Sequence, residues 1–299
     1  MNGIYTKTGR FAQTVPINFQ IDFDILAGDI EQSRFHGDQI RCDWQQQPFE
    51  PASPVAELIA QQWQHNLDAA EKHGQRLFDG SLGRLVNFNF RSNTLFLTLQ
   101  PTSYRLFSTT NLKLDLPMIP QAGDSTCLSI RELAGKQVFT LPSPYLANPL
   151  NVIAMIVSTD GATFVPKRSP RVYERPGTLQ ASVGGAVAVG EHPTAALRRE
   201  TAEEWGFEVQ EDELAFFALG ISRSTGEPDL LGIVRPRLDA HQISQAHARH
   251  SSQDEFTSYK KISLNRHDPE FALNLLTSGN WSQPADQAAF YITLARTCF

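Results

Sequence analysis

The 299-residue sequence predicts an α/β protein in two parts: a smaller α+β unit over residues 1–145 and a larger α/β unit over residues 146–299. Three observations carry this. Pro142, Pro144 and Pro149 punctuate one stretch and mark a boundary near residue 145. After it, short apolar runs interleave with helical patterns. Before it stand one clear helix and a pair of alternating strands. A chain that is 41% hydrophobic and 19% charged can build a real core, and no internal repeat is visible.

The first ~50 residues read as short strands and loops, as at Ile17-Asn18-Phe19-Gln20-Ile21. Ser53 is the expected N-cap of the first helix, with Pro54 in its first turn. Its apolar stripe is Val55, Ile59, Trp63 and Leu67, and Gly74 is its expected stop. Leu85–Phe90 and Thr94–Leu99 alternate as strands around the turn Arg91-Ser92-Asn93. Beyond the boundary, Val152–Val157 and Thr163–Val165 flank Asp160-Gly161, a hairpin signal. Val183–Val189, Leu214–Ile221 and Leu230–Val234 read as strands. Asp239 caps a short helix to about His250, Asp268-Pro269 opens another, and Pro284 opens the last.

Charge and cysteine usage exclude several roles. A net charge of −6 without a long basic run argues against a nucleic-acid partner. Cys42, Cys127 and Cys298 stand far apart, without metal-ligand spacing, and predict reduced thiols in a cytoplasmic protein. The N-terminus lacks an apolar signal core, and no apolar run approaches the ~18 residues of a membrane span. No membrane partner is expected.

Residues 185–207 carry the chemistry. A glycine-rich strand and loop lead into a helix from Pro193 to Gly206. On it Glu200, Glu203 and Glu204 stand at i, i+3 and i+4, so three carboxylates share one face. Like charges this close need a compensating cation, and hard oxygen donors suit Mg²⁺ or Mn²⁺. Such a cluster suggests metal-assisted attack of water on a phosphate chain. Leu197, Thr201 and Trp205 form the anchoring stripe behind it, and Arg199 is expected to pair with Glu191 and orient Glu200. The competing reading is a solvated acidic helix face, which the preceding glycine loop disfavours.

This segment resembles the Nudix box, Gly-x5-Glu-x7-Arg-Glu-U-x-Glu-Glu-x-Gly-U, where U is a bulky apolar residue. Gly185, Glu191, Arg199, Glu200, Glu203, Glu204, Gly206 and Phe207 fill the fixed positions and the last U, and Thr201 is the single departure. The resemblance implies a C-terminal Nudix α/β/α sandwich that hydrolyses a nucleoside diphosphate linked to a further moiety. It implies Glu200, Glu203 and Glu204 as metal ligands, one of them also a base, with the carbonyl of Gly184 or Gly185 added. Outside the box the chain is similar to the UDP-glucose/UDP-galactose pyrophosphatase branch. The matching pieces are Leu77-Phe78-Asp79, Thr102-Ser103-Tyr104-Arg105-x-Phe107-x-x-Thr110-Asn111, Leu146-Ala147-Asn148-Pro149-Leu150, Lys167-Arg168-Ser169 with Val172, and Gly220-Ile221-Ser222-Arg223. That branch implies conversion of UDP-glucose and water to UMP and glucose 1-phosphate. Superfamily members occur as monomers and dimers, so a homodimer stays open.

Other candidates each carry a plain alternative. Glu255 is placed to be a further ligand or base, with Asp254 as competitor and a surface acid as the alternative. Arg168 and Arg223 could hold phosphate oxygens through paired donors, or form ordinary ion pairs. Tyr104 and Arg105 could meet a uracil or sugar, while Tyr104 could simply pack the domain junction. His241, His247 and His250 read as a solvated helix, and there is no P-loop. The rival substrates are ADP-ribose, NADH and coenzyme A derivatives; a non-catalytic nucleotide-sugar sensor and a scaffold are the rivals from other classes.

Overall fold

The computed structural model describes residues 2–5, 20–28, 35–75, 77–120, 127–250, 255–264 and 269–297. Residues 17–19, Asp254 and Cys298 lie outside them. The N-terminal half contributes β1 (Asn2–Tyr5), β2 (Gln20–Gly28), β3 (Ile40–Trp44), α1 (Val55–Lys72), β4 (Ser81–Arg91), β5 (Thr94–Ser103) and α2 (Tyr104–Thr109). Short pieces follow: β6 (Ile119–Pro120), β7 (Cys127–Leu128) and α3 (Ile130–Ala134). The C-terminal half contributes β8 (Asn151–Ile156), β9 (Ala162–Arg168), β10 (Val183–Ala186), α4 (Pro193–Trp205), β11 (Leu214–Ser222) and β12 (Pro228–Val234). It ends with α5 (Ala240–Arg249), β13 (Phe256–Ser263), α6 (Pro269–Ser278) and α7 (Pro284–Thr297).

The centre is a six-stranded sheet in the order β1-β2-β11-β12-β8-β10. β12 and β8 run parallel and the other neighbours antiparallel. Strand alternation sends Ile153, Met155, Leu231, Ile233 and Phe217 to one face, where they meet Leu275, Leu276 and Phe290 of α6 and α7. Val152, Ala154, Ile156, Leu230 and Phe216 point the other way, against Leu197 and Trp205 of α4 and Ile243 of α5. The result is the expected α/β/α sandwich. Beside α4 on the second face lies a smaller sheet, β3-β5-β4, which adds Leu95, Leu97 and Leu99 to the same core.

The sequence-predicted elements mostly form, with instructive differences. Arg91-Ser92-Asn93 turns through positive φ at Ser92 and Asn93, the geometry a tight hairpin needs. On α1 the cap position falls on Pro54, and the Ser53 hydroxyl donates to the Glu57 carboxylate instead of capping the backbone. The buried face of α1 runs through Val55, Ile59, Asn66 and Ala70, so Trp63 and Leu67 are only partly covered. Asn66 can be buried because its amide donates to Ser108 Oγ at 3.2 Å. Asp160-Gly161 does turn, with Gly161 at φ +77, but the strands on either side then part. β8 already has β12 and β10 as neighbours, so β9 pairs with β13 in a separate two-stranded sheet.

Val55, Ile59, Leu114, Ile119, Ile130, Val138 and Leu146 form a separate buried cluster. β2, however, pairs with β11 inside the central sheet, from Ala218↔Gly28 to Ser222↔Phe23, so the two halves share a sheet across the residue-145 boundary. Among the described residues no helix is long and apolar enough to cross a membrane.

Candidate active site

α4 begins at Pro193, where His192 caps the amide of Thr194, and stops at Gly206 in the left-handed conformation at φ +72. Leu197, Thr201 and Trp205 are fully buried, as their stripe predicts. Trp205 also donates its ring N–H to the Ser182 carbonyl at 2.6 Å. Burying a side chain of this size stabilises by roughly 2–3 kcal/mol, which fixes the helix against the sheet. The opposite face is thereby aimed at the end of β10.

Arg199 organises that face. Its Nε and Nη2 donate to the two oxygens of Glu191, each at 3.0 Å, as expected from the sequence. Nη1 donates to Glu200 at 2.7 Å and to Glu203 at 3.1 Å, and Nη2 also reaches the Ala186 carbonyl at 3.1 Å. One guanidinium thus joins the loop, the edge strand and two glutamates. The surrounding carboxylates hold its own proton more firmly than usual.

The three helix glutamates are not equivalent. Glu203 is 59% exposed along its side chain and leans on Arg199. Glu200 and Glu204 are buried. One Glu204 oxygen is 3.5 Å from the Gly184 amide, and the other is buried with no hydrogen-bond partner. Burial first, then the charges of Glu255 and Glu200, push the Glu204 carboxyl well above the ordinary range. Burial pushes Glu200 up to about 7 against the pull of Arg199, with Glu255 and Glu203 adding to the rise. Glu255 itself is exposed and stands close enough to act on both.

A titration prediction follows for Glu200. Because its folded pKa is raised from 4.5, the folded state holds a proton that the unfolded state gives up. Its stabilising contribution is present below pH 4.5 and is lost as pH rises through about 7. In chelator-treated protein, Glu200→Gln should therefore melt progressively higher than the parent chain across that window. A Tm difference that stays flat with pH would contradict the burial argument.

β10 is the edge of the central sheet, and its register decides which backbone groups face the glutamates. Val187 N–H donates to Leu150 at 2.9 Å, and Gly185 lies opposite Val152. Antiparallel alternation then turns the backbone groups of Gly185 toward β8 and those of Gly184 and Ala186 outward. The contacts agree, since Gly184 N–H meets Glu204 and the Ala186 carbonyl meets Arg199. Of the two carbonyls considered, Gly184 is the one directed to the carboxylates. Gly185 matters for another reason: a Cβ there would fall 2.0 Å from Glu200 Oε1, so any side chain would displace the Glu200 carboxylate from this position.

A cavity of about 910 Å³ opens here and wraps the edge of β10. Glu200, Arg199 and Glu255 line it on the α4 side. Arg168 and Tyr104, both expected site residues, also line it. Arg168 donates to the Glu174 carbonyl and to Gln180 Oε1 at 2.7 Å. Tyr104 donates its hydroxyl to the Glu174 carboxylate and packs edge-on against Trp63 and Phe107, so it serves the junction and the cavity wall together. Two expected site residues are not there. Arg223 is tied to buried Asp24 on β2 by bonds of 2.9 and 2.6 Å and lies off the cavity lining. Arg105 binds Asp79 through its backbone amide at 2.8 Å and also lies off the lining. Both guanidinium groups answer local carboxylates first.

Of the three histidines read as solvated, His241 is exposed as expected, and the other two find partners. His247 is buried and stacked on Phe256 at 4.6 Å, beside Trp205. His250 meets the Glu203 carbonyl at 2.6 Å.

Sequence reasoning missed a second polar cluster on the α7 side of the cavity. Asn151 on β8 lies opposite Asp229 on β12, Glu227 stands just before β12, and Asp286 stands in the first turn of α7. All four are buried. The available signal was a polar residue at the start of each of two apolar strands, Asn151 before Val152–Ile156 and Asp229 before Leu230–Val234.

Comparison with known proteins adds to this geometry. Residues 147–268 match the NUDIX domain family. This stretch contains the glycine loop, α4 and Glu255, and it supports the Nudix superfamily as the home of the C-terminal region. A Nudix hydrolase from Deinococcus radiodurans is 36% identical over 78 residues, 26% of this chain and 46% of that protein. The chain thus spans under half the length of that curated relative. A crystal structure from Deinococcus radiodurans aligns at 20% identity and a TM-score of 0.34, covering 47% of this chain and 80% of the other. A MutT protein structure from Methanosarcina mazei Go1 aligns at 19% identity and a TM-score of 0.32, covering 48% and 89%.

Proposed function

We propose that the region from residue 146 to 299 is a divalent-metal-dependent pyrophosphohydrolase, with residues 1–145 supplying one wall of its cavity. The substrate is a nucleoside diphosphate linked to a second moiety, and UDP-glucose or UDP-galactose, giving UMP and sugar 1-phosphate, is our first choice. The observation that carries the reading is the buried Glu204 oxygen without a partner, set among Glu200 and Glu255. A group that costly to bury implies a ligand that satisfies it.

The donor set fits Mg²⁺ or Mn²⁺. Glu200, Glu204 and Glu255 offer hard oxygens, Gly184 offers a free carbonyl, and Glu203 stands at the exposed rim. Among the described residues no three His, Cys, Asp or Glu side chains are grouped so as to hold a metal ion as they stand. Arg199 occupies oxygens of both Glu200 and Glu203, so the carboxylates are held apart by a cation already present. When bound, the metal would offset phosphate charge and lower the pKa of a coordinated water. Arg199 keeps Glu200 oriented through its grip on Glu191. Arg168, at the cavity wall, offers donors to phosphate oxygens. Separated free thiols at Cys42 and Cys127 accord with a cytoplasmic reaction.

Product analysis tests the reading. The purified chain with Mg²⁺ should release UMP and a sugar 1-phosphate from UDP-glucose or UDP-galactose, and nothing from ADP-ribose, NADH or coenzyme A. AMP-type products would keep the pyrophosphohydrolase and discard the UDP-sugar. Tight nucleotide-sugar binding without product would favour a sensor.

A further inference from the structure

The second polar cluster has more acceptor oxygens than donors. Asn151 Nδ2 is shared between Glu227 Oε1 at 3.5 Å and Asp229 Oδ1 at 3.0 Å. Glu227 Oε2 is buried without a well-formed hydrogen bond, its neighbouring donor being the Thr225 hydroxyl, and the residue lines the cavity. The Gln283 carboxamide oxygen is in the same condition, also on the lining. Asp286 accepts the amides of Ala181 at 2.9 Å and Gln283 at 3.1 Å, which leaves a second lone pair on each oxygen. A folded protein retains orphaned acceptors like these where a ligand supplies the donors.

Position gives the ligand. Asn151 lies opposite Ala186 of the edge strand on one side and opposite Asp229 on the other. Two inter-strand steps put the cluster about 10 Å from β10. It stands on the α7 face of the sheet, and the α4 glutamates stand on the other. A diphosphate held at the edge would send its attached moiety around β10 into this end of the cavity.

We propose that Glu227, Gln283 and Asp286 form a subsite that accepts hydrogen bonds from the hydroxyl groups of the sugar attached to the diphosphate. This deepens the pyrophosphohydrolase reading and rests on it. A neutral polyol fits better than a cation, because Arg175 and Arg168 already act on these carboxylates.

The test is calorimetric, in Mg²⁺, on the Glu204→Gln protein, which should bind without turning over. Adding Glu227→Gln should weaken UDP-glucose by at least about tenfold, the worth of one hydrogen bond to a charged group. UDP itself should change by less than about twofold. The same change should raise Tm, because it removes a buried charge beside Asp229 that a purely structural glutamate would need. Gln283→Leu, outside the sheet, should reproduce the selective loss if the first variant fails to fold. Equal weakening of UDP and UDP-glucose, or no weakening of either, overturns the subsite. Tighter binding of UDP-glucosamine than UDP-glucose overturns the hydroxyl assignment in favour of a cation site. If the Glu204→Gln protein binds neither UDP nor UDP-glucose, and the parent chain hydrolyses neither UDP-sugar, the functional reading falls and this one falls with it.

Discussion

Glu204→Gln should lower turnover by about a thousandfold or more while the protein stays folded. Metal-centred charge stabilisation contributes several kcal/mol to such a reaction, and each 1.36 kcal/mol is about tenfold in rate. The substitution keeps the shape of the side chain and removes its charge. The native carboxyl is fully enclosed, with one orphaned oxygen and two acidic neighbours. The metal-free variant should therefore melt above the parent chain even as it loses activity. Glu203→Gln should also lose most turnover but leave Tm nearly unchanged, because Glu203 is exposed. Full activity in both variants would sink the assignment of this helix face as the metal site.

Arg199→Ala should damage rate and stability together. Three carboxylates, those of Glu191, Glu200 and Glu203, would lose their common partner. Breaking a buried ion pair costs about 3–5 kcal/mol. The Arg199 side chain is 34% exposed, so solvent screening reduces this to about 2 kcal/mol. Urea unfolding would read that loss. Turnover should fall by about a hundredfold, since Glu200 would no longer be held in orientation. Arg199→Lys should recover part of the stability and little of the rate. An ammonium keeps the charge but cannot present the two-pronged face that Glu191 and Glu200 occupy. Equal recovery of both would mean that charge alone, not geometry, is what the site uses.

The helix and its glutamates were legible because local sequence spacing fixes them. A Pro at the start, a Gly at the stop and a 3.6-residue period suffice to put Leu197, Thr201 and Trp205 behind and the carboxylates in front. The Arg199–Glu191 pair was legible for the same reason, as both partners belong to one short segment. What spacing cannot show is which partner a long side chain finds across the fold. Arg223 could be read as a phosphate ligand or an ion-pair partner, and only the fold shows its partner to be Asp24, some 200 positions away. Asn151, Glu227 and Asp286 converge only after strands from distant positions are laid side by side. The division at residue 145 was read from prolines, and prolines report where a chain bends rather than which sheet a strand joins.

The pairing of β2 with β11 sets a timetable for the growing chain. The strand ending at Gly28 leaves the ribosome early, and its partner residues 218–222 follow about 190 residues later. At about 5–20 residues per second, that is a delay of roughly 10–40 s. Throughout it, Ile21 and Phe23, which end fully enclosed, have no surface to rest on. The outer half of the central sheet therefore cannot assemble until residues 218–222 have emerged. A chain halted before residue 214 would display an apolar N-terminal ribbon, a natural handle for chaperones and proteases.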